Sequence, residues 1–177
     1  MRKLLLRLSR AIDKVNRLTG KTAAWAIVLA ILVSALNALS RRLLGITSNA
    51  WLELQWYLFG AVFMMCAAWA LQDNQHVRID ILSSKLTTRG REIVELAGHL
   101  LFLFPFAALM LWLSTQFVWK AVLSGEMSPN AGGLPLWPAK ALVFLGFLQL
   151  ALQWVSEVIK SAARLRDLPR QARGEGR

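Results

Sequence analysis

The sequence predicts an all-α membrane protein: four transmembrane helices plus an N-terminal amphipathic interfacial helix. Three observations carry that prediction. The 177 residues are 56% hydrophobic, above the ~45–50% usual in soluble domains. The excess is gathered into four blocks, each close to the roughly 20 apolar residues that cross a ~30 Å hydrocarbon core as a helix. The basic residues, 21 Lys and Arg against 10 Asp and Glu, flank these blocks. Four spans and their connections use most of the chain and leave no room for a soluble catalytic domain. The net charge of +11 therefore points to anionic lipid as a partner and away from nucleic acid. A single cysteine, Cys66, excludes an intramolecular disulfide and any cysteine-based zinc site.

Residues 1–21 read as an amphipathic cytoplasmic surface helix. Lys3, Arg7, Arg10, Lys14, Arg17 and Lys21 recur at helical spacing, with Leu4, Leu5, Leu8, Ile12 and Val15 on the opposite face. Such a helix gains by sinking its leucines among headgroups and holding its cations near acidic lipid. Residues 22–160 form the transmembrane domain. Its first span, 23–39, is closed by Arg41-Arg42. A long basic region precedes it and no small-x-small cleavage site comes before the arginines, so it is not a signal peptide. The second span covers about 50–71, with Trp51, Trp56, Tyr57 and Trp69 toward its ends as interfacial rings. Glu53 falls near its start, where a carboxylate favours the positive end of the helix dipole. The third covers 93–123, and Pro105 inside its apolar centre predicts a kink. The fourth begins near Pro138, a residue suited to a first helical turn. Its Gln149 and Gln153 lie one turn apart and are expected to face other helices. Residues 161–177, with Pro169, Gly174 and Gly176 among charges, read as a disordered basic cytoplasmic tail.

The distribution of cations sets the orientation. The N-terminal arm holds seven Lys and Arg, the loop between spans two and three holds four, and the C-terminal end from Lys160 onward holds six. The two outer connections hold only Arg41 and Arg42. This positive-inside asymmetry places both termini in the cytoplasm. Lys120 and Lys140 sit near the outer ends of spans three and four, where long stems snorkel to water.

Few residues could carry catalytic chemistry within the membrane. Glu95 and His99 share a helical face with Glu92 one turn earlier, and they form either a proton relay or a pair at the cytoplasmic end of a span. The position near the interface favours the second. His76 and His99 are the only histidines and lie at different depths, which argues against haem. Gly132-Gly133 is followed by Leu134-Pro135 and has no phosphate-loop meaning. No catalytic residue, cofactor or metal ligand is assigned.

Two connecting segments are more particular than span connectors need to be. His76-Val77-Arg78-Ile79-Asp80 alternates polar and apolar residues. As a short re-entrant or interfacial piece it would turn Val77, Ile79 and Ile81 toward lipid or protein and His76, Arg78 and Asp80 toward water and each other; the plainer reading is a local polar clasp. On the outer side, residues 128–138 are stiff at their prolines and bare at Gly132 and Gly133, which suits a tight hairpin or close approach by another chain.

In this order and between these spans, the segments resemble the small membrane subunit, DctQ type, of tripartite ATP-independent periplasmic (TRAP) transporters. The resemblance covers roughly 18–160. It is carried by Glu53 with Tyr57-Leu58-Phe59, by His76-Val77-Arg78-Ile79-Asp80, by the outer run from Pro129 and Asn130 through Trp137-Pro138-Ala139-Lys140, and by Gln153 with Ser156-Glu157. It implies a bacterial inner-membrane, non-catalytic scaffold for a large permease subunit that itself carries the sodium and substrate sites. A periplasmic solute-binding protein delivers the solute, usually an organic acid. The absence of further spans implies the unfused form. Under this resemblance Glu53, Trp56, His76, Arg78, Asp80, Asn130, Gly132, Gly133, Trp137, Gln149 and Gln153 are candidate partner or structural contacts. The outer loop and Trp137 are expected toward the binding protein, and Trp56, Gln149 and Gln153 toward the large subunit. The alternative reading is a self-sufficient proton-coupled transporter using Glu95 and His99.

Overall fold

The computed structural model describes residues 2–46, 48–73 and 87–168. These form α1 (Arg2–Ala24), α2 (Ala26–Leu44), α3 (Asn49–Gln72), α4 (Thr88–Gly98), α5 (Phe104–Ser124) and α6 (Trp137–Asp167), with a π-helical turn, His99–Leu103, between α4 and α5. Among the described residues, four helical stretches are long and apolar enough to cross a membrane: Arg2–Leu44, Asn49–Gln72, Thr88–Ser124 and Trp137–Asp167. The four expected spans fall within them.

The N-terminal arm is not set off from the first span. No glycine or proline lies between Lys21 and Leu44 to end the helix, and α1 passes into α2 across the single residue Trp25, whose N–H still bonds the Thr22 carbonyl at 3.2 Å. All seven basic residues of the arm are exposed, as are Leu4, Leu5, Leu8 and Val15. A third face of α1, carrying Ser9, Asn16 and Gly20, is buried. It packs against α3 and α6.

The third span begins at Thr88, where the Thr87 side chain accepts the Gly90 N–H at 3.1 Å and caps α4. Pro105 has no N–H to continue the α pattern. The irregularity takes the form of a π turn just upstream, closed by the Phe104 N–H on the His99 carbonyl. That same carbonyl accepts the Trp154 indole N–H at 2.8 Å, and the Trp154 ring lies 4.7 Å from Phe104, so the turn is held against α6. Pro138 falls in the first turn of α6 as expected. The helix then runs to Asp167, beyond the expected boundary at 160, and buries Ser161. Residues 169–177 of the tail lie outside the described residues.

α3 and α6 make the centre: α2 packs on α3, α5 on α6, and α1 on both. The interior is built mainly from small and polar side chains, with Met65 and Leu71 the large apolar ones buried among the described residues. Ala30, Ala68, Ala107 and Ala121 are buried, together with Ser9, Asn16, Glu53, Ser114, Gln153, Ser156, Glu157 and Ser161. Large apolar side chains point outward, with Phe63 77% and Phe102 76% exposed. This inverts the soluble pattern. Lipid solvates the outer surface, so helices associate by close approach and polar bonds at small-residue faces. Gly146 is one such approach, since a Cβ there would lie 2.7 Å from the Met64 Cβ on α3.

Candidate functional site

Two polar assemblies organise the molecule, one at each end of the bundle. The first joins α3 to the connection between α5 and α6. That connection folds back on itself through an isolated antiparallel bridge between Met127 and Pro135. The Ser128 N–H donates to the Leu134 carbonyl at 3.0 Å and the Leu136 N–H to the Glu126 carbonyl at 2.9 Å. Its tip is a turn closed by the Gly133 N–H on the Asn130 carbonyl at 2.9 Å, with Gly132 at φ 69°, a conformation that favours glycine.

Asn49, Glu53 and Tyr57, spaced one turn apart on α3, all reach this loop. The Asn49 amide donates to the Ala131 carbonyl at 3.0 Å and the Tyr57 hydroxyl to the Pro135 carbonyl at 2.9 Å. Glu53 is the hub. Its Oε1 accepts from the Ser128 hydroxyl and, at 2.8 Å, from the Asn130 amide, while Oε2 accepts the Leu134 N–H at 2.6 Å. Only 4% of Glu53 is exposed. Gly133 must be bare, because a Cβ there would lie 2.8 Å from the Glu53 Oε1 and 2.6 Å from the Ser128 Cβ.

This arrangement corrects the helix-dipole explanation of Glu53. The helix starts at Asn49, so Glu53 lies beyond the first turn, and its carboxylate is taken up by loop donors. Lys140 is likewise not a simple snorkelling cation. It pairs with Glu126 and sits 4.2 Å from the centre of the Phe117 ring.

The second assembly joins α1 to α6. Asp13 Oδ1 accepts from the Ser156 hydroxyl at 2.7 Å and the Gln153 amide at 2.9 Å, and Oδ2 accepts from Lys160 at 3.1 Å. Lys160 also donates to Glu157 at 2.6 Å, and Gln153 to Glu157 at 2.8 Å. The Asn16 amide donates to the Gln153 Oε1 at 2.8 Å, and the Ser9 and Ser156 hydroxyls meet at 2.7 Å. Thr19 donates to the Gln149 Oε1 at 3.2 Å. Two acids and one ammonium, linked through amides and hydroxyls, thus close the seam between the first and last helices. Arg2 and Asp167 pair at its far end.

The remaining expected residues are distributed as follows. Gln149 and Gln153 face other helices as expected, and these are the chain's own: both meet α1, and the Gln149 amide also donates to the Met65 sulfur on α3 at 3.5 Å. Gln153 has no exposed surface, and its side chain is taken up by Asp13, Asn16 and Glu157. Trp56 and Trp137 are 64% and 48% exposed and remain open to partners. His76, Arg78 and Asp80 lie outside the described residues. Glu92 and Glu95 both turn toward Arg164 of α6, at 2.9 and 3.9 Å, and His99 begins the π turn. Among the described residues no group of three His, Cys, Asp or Glu is placed to hold a metal ion.

Sequence reasoning missed Asn49 and the buried face of α1. The signal for the latter was present: Ser9, Asp13, Asn16 and Gly20 recur at alternating four- and three-residue spacing, a small and polar stripe between the cationic and leucine faces.

Residues 30–164 match the family described as tripartite ATP-independent periplasmic transporters, DctQ component. No curated protein and no solved structure matches the chain.

Proposed function

This chain belongs to the DctQ component family of the tripartite ATP-independent periplasmic transporters, and from that premise we propose that it is the scaffold subunit of a sodium-driven importer of organic acids. It is a multi-pass membrane subunit of a non-enzymatic family, and membership implies a large permease subunit and a periplasmic binding protein as its partners. The observation that carries the scaffold reading is the use made of its polar groups. Glu53 is occupied in fixing the outer loop, and Asp13, Glu157 and Lys160 in fixing α1 to α6. Side chains committed to holding a rigid shape suit a fixed support better than a moving, ion-coupled carrier.

In this reading the chain sits in the bacterial inner membrane with both termini cytoplasmic, the orientation favoured by the basic arm, middle loop and tail. The exposed Lys3, Arg7, Arg10, Lys14, Arg17 and Lys21 lie against anionic headgroups, and the neighbouring leucines enter the lipid boundary as an interfacial face of α1. The loop braced by Glu53, together with Trp137, is offered to the binding protein. Trp56 is offered to the large subunit.

The test is reconstitution. Vesicles holding this chain, the large subunit and the binding protein should accumulate an organic acid on an inward sodium gradient, and vesicles holding the chain alone should not. Uptake by the chain alone, abolished by Glu95→Gln, would replace the scaffold with a self-sufficient carrier.

A further inference from the structure

The outer half of α5 carries a feature that neither assembly uses. An open groove of about 480 Å³ runs between α5 and α6, lined by Met110, Leu113, Ser114, Gln116, Phe117, Lys120 and Val143. Along α5 its lining changes character one helical turn at a time: Lys120 nearest the Ser124 end, then Gln116 with Phe117, then Leu113, then Met110. At 1.5 Å rise per residue, Lys120 lies roughly 6 Å and Gln116 roughly 12 Å inside the end of the helix. Lys120 and Gln116 are both exposed, and neither has a hydrogen-bond or ion-pair partner among the described residues. The other polar groups nearby are already engaged. Ser114 donates to the Leu111 carbonyl at 3.1 Å, and Lys140, which sits over the Phe117 ring, is paired with Glu126.

An unpaired amide donor two turns inside a span is costly in hydrocarbon, and a lone ammonium above it seeks an anion. Cation, amide and apolar floor, in that order along one face, complement phosphate, ester carbonyl and acyl chain in the order a glycerophospholipid presents them from the surface inward. We propose that this groove holds a membrane glycerophospholipid, with its phosphate on Lys120, an ester carbonyl on the Gln116 amide, and an acyl chain along Leu113, Met110 and Val143. The site is distinct from the surface binding assigned to the arm, because it selects one molecule by depth as well as charge. It rests only on the chain spanning a membrane and is independent of the scaffold role.

The test uses the complex with the large subunit, purified in mild detergent and exchanged with spin-labelled phosphatidylglycerol. The wild type should give an immobilised lipid component. Lys120→Ala should weaken its binding roughly fivefold, the effect of one basic residue at an anionic membrane surface. Gln116→Leu should also weaken it, Lys120→Arg should retain it, and Arg42→Ala, on α2, should leave it unchanged. The substituted α5 side chains hold no partner among the described residues, so size-exclusion profiles should match the wild type. Equal immobilisation in the wild type, Lys120→Ala and Gln116→Leu would overturn the proposal. So would a Gln116→Cys variant that cross-links to the large subunit, which would make the groove a subunit interface.

Discussion

At the residue scale, Glu53 and Gly133 act as one device. The carboxylate gathers three donors from the loop, and the missing Cβ lets the backbone come close enough to supply them. Gly133→Ala should destabilise the protein by about 1–3 kcal/mol through overpacking, read as a lowered Tm of the detergent-solubilised protein. Glu53→Gln keeps the shape but turns one acceptor into a donor facing other donors. It should speed proteolysis of the loop around Asn130 while leaving cleavage elsewhere unchanged. Glu53 was conspicuous in the sequence as an acid at the edge of an apolar block, yet its role was not legible there. Its partner Ser128 lies 75 residues away, and helical periodicity reports which face a residue occupies, not what another segment brings to it. The glycine pair and prolines did announce a tight, closely approached loop.

At the element scale, α1 shows what a two-faced helical wheel conceals. Cationic and leucine faces were both readable, and both are exposed. The narrow stripe between them does the packing. Small polar residues carry no hydrophobic signature, so a periodicity built on apolar positions passes over them. Gln153 is the central member of that seam, in contact with Asn16, Asp13 and Glu157. Gln153→Leu would take one hydrogen-bond partner from each of those groups and should cost about 2–3 kcal/mol. Hydrogen exchange should then show faster opening of α1, with α3 and α5 protected as before; uniform loss of protection across all helices would contradict a seam local to α1. The third span was legible in extent and in the disturbance at Pro105. That the disturbance would be a π turn, steadied by Trp154, was not, because the stabilising indole belongs to another helix.

At the scale of the whole molecule, the four spans were the most legible property, since hydrocarbon thickness sets a length that any apolar block must meet. The interior was the least legible. In water large apolar residues mark the core, whereas here they mark the outside, and alanine, serine and glycine mark the contacts. Orientation is open to a direct check. Pro129→Cys should react with an impermeant maleimide added to whole cells with a permeabilised outer membrane, and Arg2→Cys should react only after the inner membrane is opened. The reverse pattern would contradict the orientation drawn from the cation count.

The seam between α1 and α6 also bears on how the protein is made. Asp13 leaves the ribosome long before Gln153, Ser156 and Lys160 exist, so the first helix must wait, its polar stripe wetted or shielded, until the last has inserted. Completion of the bundle is therefore a late event that closes the chain end to end. A nascent polypeptide halted after α5 would expose that stripe and should be a preferred target for membrane quality-control proteases.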